Sequence, residues 1–432
     1  MTGSQISQFV AGLIFLLTLA VLVTDRIHRT IVVSGSASVM VAAGLLLGFY
    51  SQGQALSAID FNTISLLLGM MLLMALLSKT GVFEYLAIAA ARRSEGSPWR
   101  FLVLMGALTT VISMFLNNMT VMLLIAPVTL LVAEKLRVDP VPLLIAQAVL
   151  SNIGGTATLI GDPPNMLIGS AAGFSFNKFL IILLPIVLVV YYPTLLALRH
   201  VLGYRTEIAA EPRELRSLPS ADLIRNPQAL RKLLLVLAAV IVLFVLQDLV
   251  PLQAGYVAFA GTAMALLWLR PDLEELLREV DWSMLLFFAC LFVVVGGLEA
   301  AGIMKAIAEL IVSFTHSHPL LTSVLLLWGA AVLSSVLDNI PFVIAMIPIV
   351  KGLETEGVNV EPLWWALALG AGFGANATPI GSSANIVTIA ISERAGYPIT
   401  FRRWFRSGAI AALVSCSIGT LLFLLIFGML KR

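Results

Sequence analysis

Four short polar segments interrupt the apolar stretches of this chain, and they contain the residues whose chemistry could serve a function. Two lie between apolar arms, FLNNMT at 115–120 and VLDNIP at 336–341. The other two interrupt longer apolar runs, SNIGGTATLIGDPPN at 151–165 and GAGFGANATPIGSSAN at 370–385. Gly and Pro at this density break a helix and free backbone N–H and C=O groups. The Asn, Thr and Ser side chains beside them donate and accept hydrogen bonds without carrying charge. The four segments therefore predict a binding site for a small solute or ion.

The amide and hydroxyl side chains of these segments are the candidate ligands. We expect binding through Asn117, Asn118, Thr120, Thr156, Thr158, Asn339, Asn376 and Thr378. We expect helix breaks at Gly154, Gly155, Gly161, Pro163, Gly374, Pro379 and Gly381. Asn and Thr also bond packed membrane helices to one another, which is the alternative interpretation. Their recurrence in matching segments favours a site.

Two acidic residues, Asp162 and Asp338, lie within the polar segments. An ionisable side chain at membrane depth is costly to bury and therefore indicates a function. We expect both to exchange protons, although each could instead cap the helix that follows it. Asp60 and Asp281 precede predicted spans and are interpreted as helix N-caps.

The composition is that of an integral membrane protein. Hydrophobic residues make up 59% of the 432 residues and charged residues 12%, against roughly 45–50% and 25% in soluble domains. Apolar runs of about 20 residues match the thickness of a bilayer core. The first run lacks a basic leader, so it is predicted to be a retained span and not a signal peptide. The predicted spans are 7–24, 30–50, 61–79, 141–172, 178–198, 230–249, 254–269, 282–300, 362–391 and 407–430.

Two further apolar stretches, 101–133 and 319–350, are too long for one span and carry a polar tip. Each is predicted to be a re-entrant hairpin, which is tolerated at membrane depth when protein encloses it. With the N-terminus outside, all but five of the 26 Lys and Arg residues fall in inside loops. This bias predicts a multi-pass protein of the inner (plasma) membrane with both termini periplasmic. It is equally compatible with each hairpin crossing fully as two spans.

The two halves of the chain repeat each other at an almost constant offset. Asn118 matches Asn339 at +221, and Asn165 matches Asn385 at +220. An odd number of spans in each half inverts the second half relative to the first. We therefore predict an all-α polytopic membrane protein of two inverted repeats, each with five transmembrane helices, a re-entrant hairpin and a discontinuous helix. The predicted units are the first repeat at 1–200, a cytoplasmic linker at 201–229 and the second repeat at 230–432.

Several other classes of protein are disfavoured. The two cysteines, Cys290 and Cys416, lie in apolar runs without the spacing of a disulfide framework or a metal site. The four histidines likewise form no metal-ligand pattern. We expect no enzyme activity, no cofactor, no metal centre and no nucleic-acid partner. No ATP-binding motif is present, so an ion gradient is the expected energy source unless a separate soluble ATPase subunit supplies it.

The string SNIGGTATLIGDPPNMLIGSA, with the hairpin Asn-Asn…Pro and the second-half Asp-Asn…Pro, resembles the ion transporter superfamily. Within it the pattern is similar to the group of ArsB-type arsenite/antimonite permeases, NhaD-type Na⁺/H⁺ antiporters and the mammalian P protein. The resemblance covers the whole chain. The P protein-like pattern carries Asn-Asp-Asn in the first hairpin. Its acidic position is Asn117 here, which leaves Asp338 as the hairpin acid.

The predicted site contains no Lys or Arg, and an acid at its tip would repel a dianion. A small neutral solute with hydroxyl groups suits amides and hydroxyls better. The resemblance to arsenite permeases points the same way. We therefore expect export of arsenite and antimonite, as neutral As(OH)₃ and Sb(OH)₃, in exchange for protons by alternating access. The alternatives are Na⁺/H⁺ antiport, a dicarboxylate or other organic-anion permease, a passive channel and the membrane subunit of an ATP-driven assembly.

Overall fold

The computed structural model describes residues 3–24, 26–203, 223–247, 252–303, 312, 315, 317–336 and 339–430. Every regular element among these residues is a helix, and nine of the described helices are long and apolar enough to cross a membrane. The predicted all-α polytopic fold is confirmed. Asp338, at the tip of the predicted second hairpin, lies outside the described residues, as do 204–222 of the predicted linker.

Ten helices form the first half. They are α1 (Gly3–Thr24), α2 (Arg29–Leu47), α3 (Gln52–Ser57), α4 (Phe61–Lys79), α5 (Val82–Arg93), α6 (Pro98–Ser113), α7 (Asn118–Leu136), α8 (Pro140–Gly155), α9 (Pro163–Ala172) and α10 (Phe176–Leu202). The predicted hairpin corresponds to α6 and α7, and the predicted discontinuous helix to α8 and α9. The short helices α3 and α5 lie where the sequence predicted loops.

The described part of the second half repeats this order. Its helices are α11 (Pro227–Val245), α12 (Ala254–Leu269), α13 (Leu273–Arg278), α14 (Trp282–Ala300), α15 (Pro319–Val336), α16 (Asn339–Thr355), α17 (Glu361–Gly374), α18 (Ser383–Arg394) and α19 (Phe401–Leu430). Helices α4 and α14 begin 221 residues apart, as do α7 and α16. Asp60 and Asp281 cap the first pair as predicted, since their carboxylates accept from the backbone N–H of Asn62 and Met284 at 2.9 Å.

The halves are joined by exchanged helices. Helix α2 packs on α14, and its repeat counterpart α12 packs on α4. At the second contact the Thr262 hydroxyl donates to the carbonyl oxygen of Gly69 at 2.8 Å. A Cβ at Gly69 would lie 2.8 Å from the backbone of Ala258, so only glycine allows this approach. Neither half is complete without a helix from the other.

Two ion pairs repeat in the same way. Lys178, in the first turn of α10, pairs with Glu361 at the start of α17, with Nζ and Oε2 2.9 Å apart. Arg403, in the first turn of α19, pairs with Asp139 at the start of α8. The topology predicted from the sequence places the first pair on the periplasmic side of the membrane and the second pair on the cytoplasmic side. One such pair on each side is the arrangement expected of inverted repeats.

Candidate solute-binding site

The site is built around two interrupted helices. The first break follows Gly155 and ends where Pro163 opens α9, and the second lies between Gly374 and Ser383 and contains Pro379. Glycines permit close contact with the neighbouring hairpin helix. A Cβ at Gly154 or at Gly374 would lie 2.3 Å from a backbone oxygen of that helix. Gly161 and Gly381 fold back on the ends of their own first half-helices in the same way, since a Cβ on either would lie within 2.6 Å of a carbonyl oxygen there.

Repeat-related asparagines hold the two breaks in shape. The Asn165 amide nitrogen donates to the carbonyl oxygens of Gly155 at 3.2 Å, Thr156 at 3.1 Å and Thr158 at 2.9 Å. The Asn385 amide nitrogen donates to those of Ala375 and Thr378, both at 2.9 Å. Breaking a helix frees these carbonyls, and a buried carbonyl without a partner is costly. The sequence showed the two asparagines as matched positions but did not place them among the site residues.

The hydroxyls of two predicted ligands, Thr158 and Thr378, form hydrogen bonds with backbone groups of the protein. The Thr158 hydroxyl donates to the carbonyl oxygen of Met114, at the end of α6. The Thr378 hydroxyl donates to that of Ser335, at the corresponding place in α15. Thr158 also accepts from the backbone N–H of Gly161 at 3.1 Å. These side chains fasten each break to the hairpin of its own half.

Asn152 joins the breaks of the two halves. Its amide nitrogen donates to the side-chain oxygens of Asn376 at 2.9 Å and Asn385 at 3.0 Å. Its side-chain oxygen accepts from the hydroxyl of Ser382 at 3.0 Å. Asn152 is buried, and the site residues predicted from the sequence did not include it. Its repeat position is Gly372, so a comparison of matching residues could not reveal it.

Thr156 packs between Asn152 of its own half and Gly372 of the other half. Its hydroxyl donates to the carbonyl oxygen of Asn152 at 2.9 Å. A Cβ at Gly372 would lie 2.2 Å from the same hydroxyl oxygen. The predicted ligands Thr156 and Asn376 therefore meet around Asn152 at the junction of the two halves.

Two buried amides in this region keep an unused donor. The Asn118 side-chain oxygen accepts from Ser113, but its Nδ2 has no hydrogen-bond partner among the described residues. Asn376 Nδ2 also has none there, although its Oδ1 accepts from Asn152. Asn118 is 2% exposed and Asn376 is fully buried. A buried donor left unpaired costs about 1–3 kcal/mol. These two N–H groups are the candidate contacts for a solute oxygen.

The acid Asp162 lies beside the second predicted hairpin. It precedes α9, is 5% exposed and accepts from the amide nitrogen of Asn339 at 3.2 Å. Its carboxylate makes no capping hydrogen bond to α9, whereas Ser382, at its repeat position, caps α18 by accepting from the N–H of Ala384 at 3.3 Å. The predicted ligand Asn339 thus contacts the acid of the other half.

The predicted ligands Asn117 and Thr120 line a vestibule in front of this buried region. The vestibule is a cavity of about 590 Å³ between α4, α7, α9 and the start of α14. Its lining includes six methionines, Met70, Met71, Met74, Met119, Met166 and Met284. Its rim carries Lys79, Glu84, Arg225, Arg278, Glu279 and Asp281, near the side that the sequence predicts to be cytoplasmic. Asn117 also caps α7, because its side-chain oxygen accepts from the N–H of Met119 at 3.0 Å.

A helical bundle with broken helices that meet in a buried polar layer, beside a vestibule, has the architecture of a membrane transporter. The chain belongs to the CitMHS citrate transporter family, which it matches over residues 19–370. It is 40% identical over 418 residues to the 46 kDa membrane protein of Mycobacterium leprae, covering 95% of this chain and 96% of that protein.

Two further relatives extend the comparison. The chain is 34% identical over 485 residues to the human P protein, covering 93% of this chain and 58% of that protein, so the resemblance to the P protein is confirmed. The YdaH transporter of Alcanivorax borkumensis shares the fold, with a TM-score of 0.61 at 14% identity over 99% of both chains. That structure is described as having an unusual topology.

Proposed function

We propose that this transporter exports arsenite and antimonite, as neutral As(OH)₃ and Sb(OH)₃, in exchange for protons. The observation that carries the proposal is that the buried amide donors of Asn118 and Asn376 have no hydrogen-bond partner among the described residues. A solute with hydroxyl oxygens accepts from such donors and removes the penalty of leaving them unpaired. Its own hydroxyl protons can donate to the carbonyl and hydroxyl oxygens nearby.

The charge of the buried layer favours a neutral solute. The two breaks and the described hairpin residues beside them contain no Lys or Arg, and they contain the acid Asp162. A dianion at this depth would meet a carboxylate with only backbone dipoles and amides to offset it. A neutral oxyacid incurs no such cost.

Asp162 is proposed to carry protons, together with Asp338. The Asn339 amide nitrogen donates to a carboxyl oxygen of Asp162, and this bond holds the first break to the start of α16. A protonated carboxyl has a donor of its own and one fewer lone pair for Asn339. Protonation of Asp162 would therefore weaken its contact with Asn339, which joins the first break to α16. In this way a proton would favour one of the two access states, inward-open or outward-open, over the other.

An organic anion is the second candidate solute. It is favoured by the description of the family and by the three cationic side chains, Lys79, Arg225 and Arg278, at the vestibule rim. These positive charges would attract an anion to the opening of the vestibule. Glu84, Glu279 and Asp281 share the rim, however, and oppose them.

Everted membrane vesicles with an acidic lumen test the proposal. Arsenite, citrate and Na⁺ are offered separately, and uptake is measured before and after a protonophore collapses the gradient. We expect arsenite uptake that requires the gradient. Uptake of citrate without arsenite would favour the organic-anion permease, and Na⁺ uptake without arsenite would favour Na⁺/H⁺ antiport.

Asp162→Asn separates coupling from binding. We expect this variant to lose gradient-driven arsenite uptake and to retain exchange of arsenite across the membrane without a gradient. Glu354→Gln, at an exposed acid near the end of α16, is the matched control and should behave like the parent. Full gradient-driven uptake in Asp162→Asn would contradict the role given to this acid.

A further inference from the structure

A second cavity lies on the other side of α9, near the predicted outer face. Its volume is about 200 Å³, and it lies between the start of α4 and the end of α9. Its lining is partly polar and includes Asp60, Thr63 and Ser170. The Asp60 carboxylate accepts from the Thr63 hydroxyl at 2.5 Å and from the Ser170 hydroxyl, which ties α4 to α9. We call this cavity the outer pocket.

Met166 lines both the outer pocket and the vestibule. Its neighbours divide between the two cavities, since Leu67 lines only the vestibule and Leu66 and Leu159 line only the outer pocket. Met166 is 5% exposed and lies in the first turn of α9, just beyond the first break. Met166 is therefore the one described residue that lines both cavities.

The chemistry of that side chain suits a movable barrier. Methionine is unbranched, has three rotatable side-chain bonds and fills irregular gaps in several conformations. The opposite wall is α4, whose Leu66 and Leu67 face one cavity each. The Met166 side chain can therefore change its conformation without a movement of the α9 backbone.

We propose that Met166 is the barrier that seals the vestibule from the outer pocket, at the seam of α4 and α9, in the access state that the structure shows. This inference rests on the proposed function for the identity of the solute. The barrier itself is independent of which solute is carried. It assigns the outer pocket as the chamber on the exit side.

Cysteine accessibility tests the barrier without any transport measurement. In a chain with Cys290 and Cys416 replaced by Ala, single variants Leu67→Cys, Leu159→Cys and Met166→Cys are treated with a membrane-impermeant cationic methanethiosulfonate. The reagent is added to everted or to right-side-out vesicles. We expect Leu67→Cys to react only from the vestibule side, Leu159→Cys only from the other side, and Met166→Cys from both. Reaction of Met166→Cys from one side only, or from neither, would overturn the proposal.

A leak measurement provides a second readout. Met166→Gly in proteoliposomes should release a preloaded small neutral solute, glycerol, several-fold faster than the parent chain. Met122→Gly is the matched control, because Met122 is fully buried in α7 and lines neither cavity, and it should not leak. Equal leak rates in folded Met166→Gly and Met122→Gly would also overturn the proposed role of Met166 as a barrier. Absence of arsenite transport in the parent chain would instead overturn the proposed function and leave the labelling pattern unchanged.

Discussion

The side-chain amide of Asn152 donates to the side-chain oxygen of Asn376 at 2.9 Å, and this bond ties the broken helix of one half to the break of the other. The second half cannot form the equivalent side-chain bond, because its position corresponding to Asn152 is a glycine, Gly372. The halves therefore share a fold and repeat their helix exchange and ion pairs, but they differ in this bond between the two breaks.

Replacing Asn152 by Ala should destabilise the junction. The substitution removes three side-chain hydrogen bonds and leaves Asn376, Asn385 and Ser382 with buried groups to satisfy. We expect a loss of about 1–3 kcal/mol in the free energy of unfolding, since hydrogen bonds in membrane bundles are individually modest. Thermal unfolding in mild detergent measures it. Asn226→Ala, which removes the exposed N-cap of α11, is the control for loss of one amide outside the junction.

Gly372→Ala should be poorly tolerated, and Thr156→Ala should partly rescue it. The added methyl group would lie 2.2 Å from the Thr156 hydroxyl oxygen, in a fully buried contact. Removing the hydroxyl and methyl of Thr156 leaves its Cβ as the nearest atom, 3.2 Å away. The measurement is a double-mutant cycle of unfolding temperatures. Strictly additive effects would show that the two positions do not meet as the structure has them.

Thr158→Val and Thr158→Ser should differ in stability. Valine keeps the shape but removes the hydroxyl that donates to Met114 and accepts from Gly161, whereas serine keeps the hydroxyl. We expect Thr158→Val to cost about 1–3 kcal/mol and Thr158→Ser to cost less. The KM of the Thr158→Val variant for arsenite, the proposed solute, distinguishes a ligand role of Thr158 from a purely structural one. A large rise in KM with unchanged stability would support Thr158 as a direct ligand.

Lys178 should contribute slightly more to stability than Arg403, the cation of the counterpart ion pair. All four side chains are at least 30% exposed, so each pair is expected to contribute below about 1 kcal/mol. Lys178 also lies over the ring of Phe174, 4.4 Å from its centroid, which adds a cation–π contact. Double-mutant cycles with Met and Gln replacements at low and high salt measure both pairs. A further cycle of Lys178→Met with Phe174→Leu measures the cation–π contact, and zero coupling there would remove any role for Phe174.

Patterns local in sequence predicted most of the fold. The density of Gly and Pro predicted a break within 141–172, and the structure places it between α8 and α9. The apolar run at 61–79 coincides with α4, because burial in lipid selects length and composition directly. Helix α5 was missed because its Glu84, Arg92 and Arg93 exclude it from a span, although its apolar side packs on α6 and α7.

The site was harder to predict because its contacts join distant parts of the chain. Asn152 meets residues more than 200 positions away, and its repeat position is a glycine. Asn165 and Asn385 bind backbone carbonyls, which carry no sequence signal. Thr158 and Thr378 were identified as important, but the sequence could not say that their hydroxyls face the hairpins of their own halves.

The exchange of α2 and α12 between the halves affects how the protein can be made. The ribosome completes the first half while the α14 surface that covers α2 has yet to be synthesised. Insertion into the membrane therefore precedes tertiary assembly for about half of the polypeptide. Until the second half follows, α2 and α4 expose to lipid the faces that later join the halves. A chain that stops at the linker should be a substrate for quality-control proteases, and synthesis of the second half as a separate polypeptide should protect it.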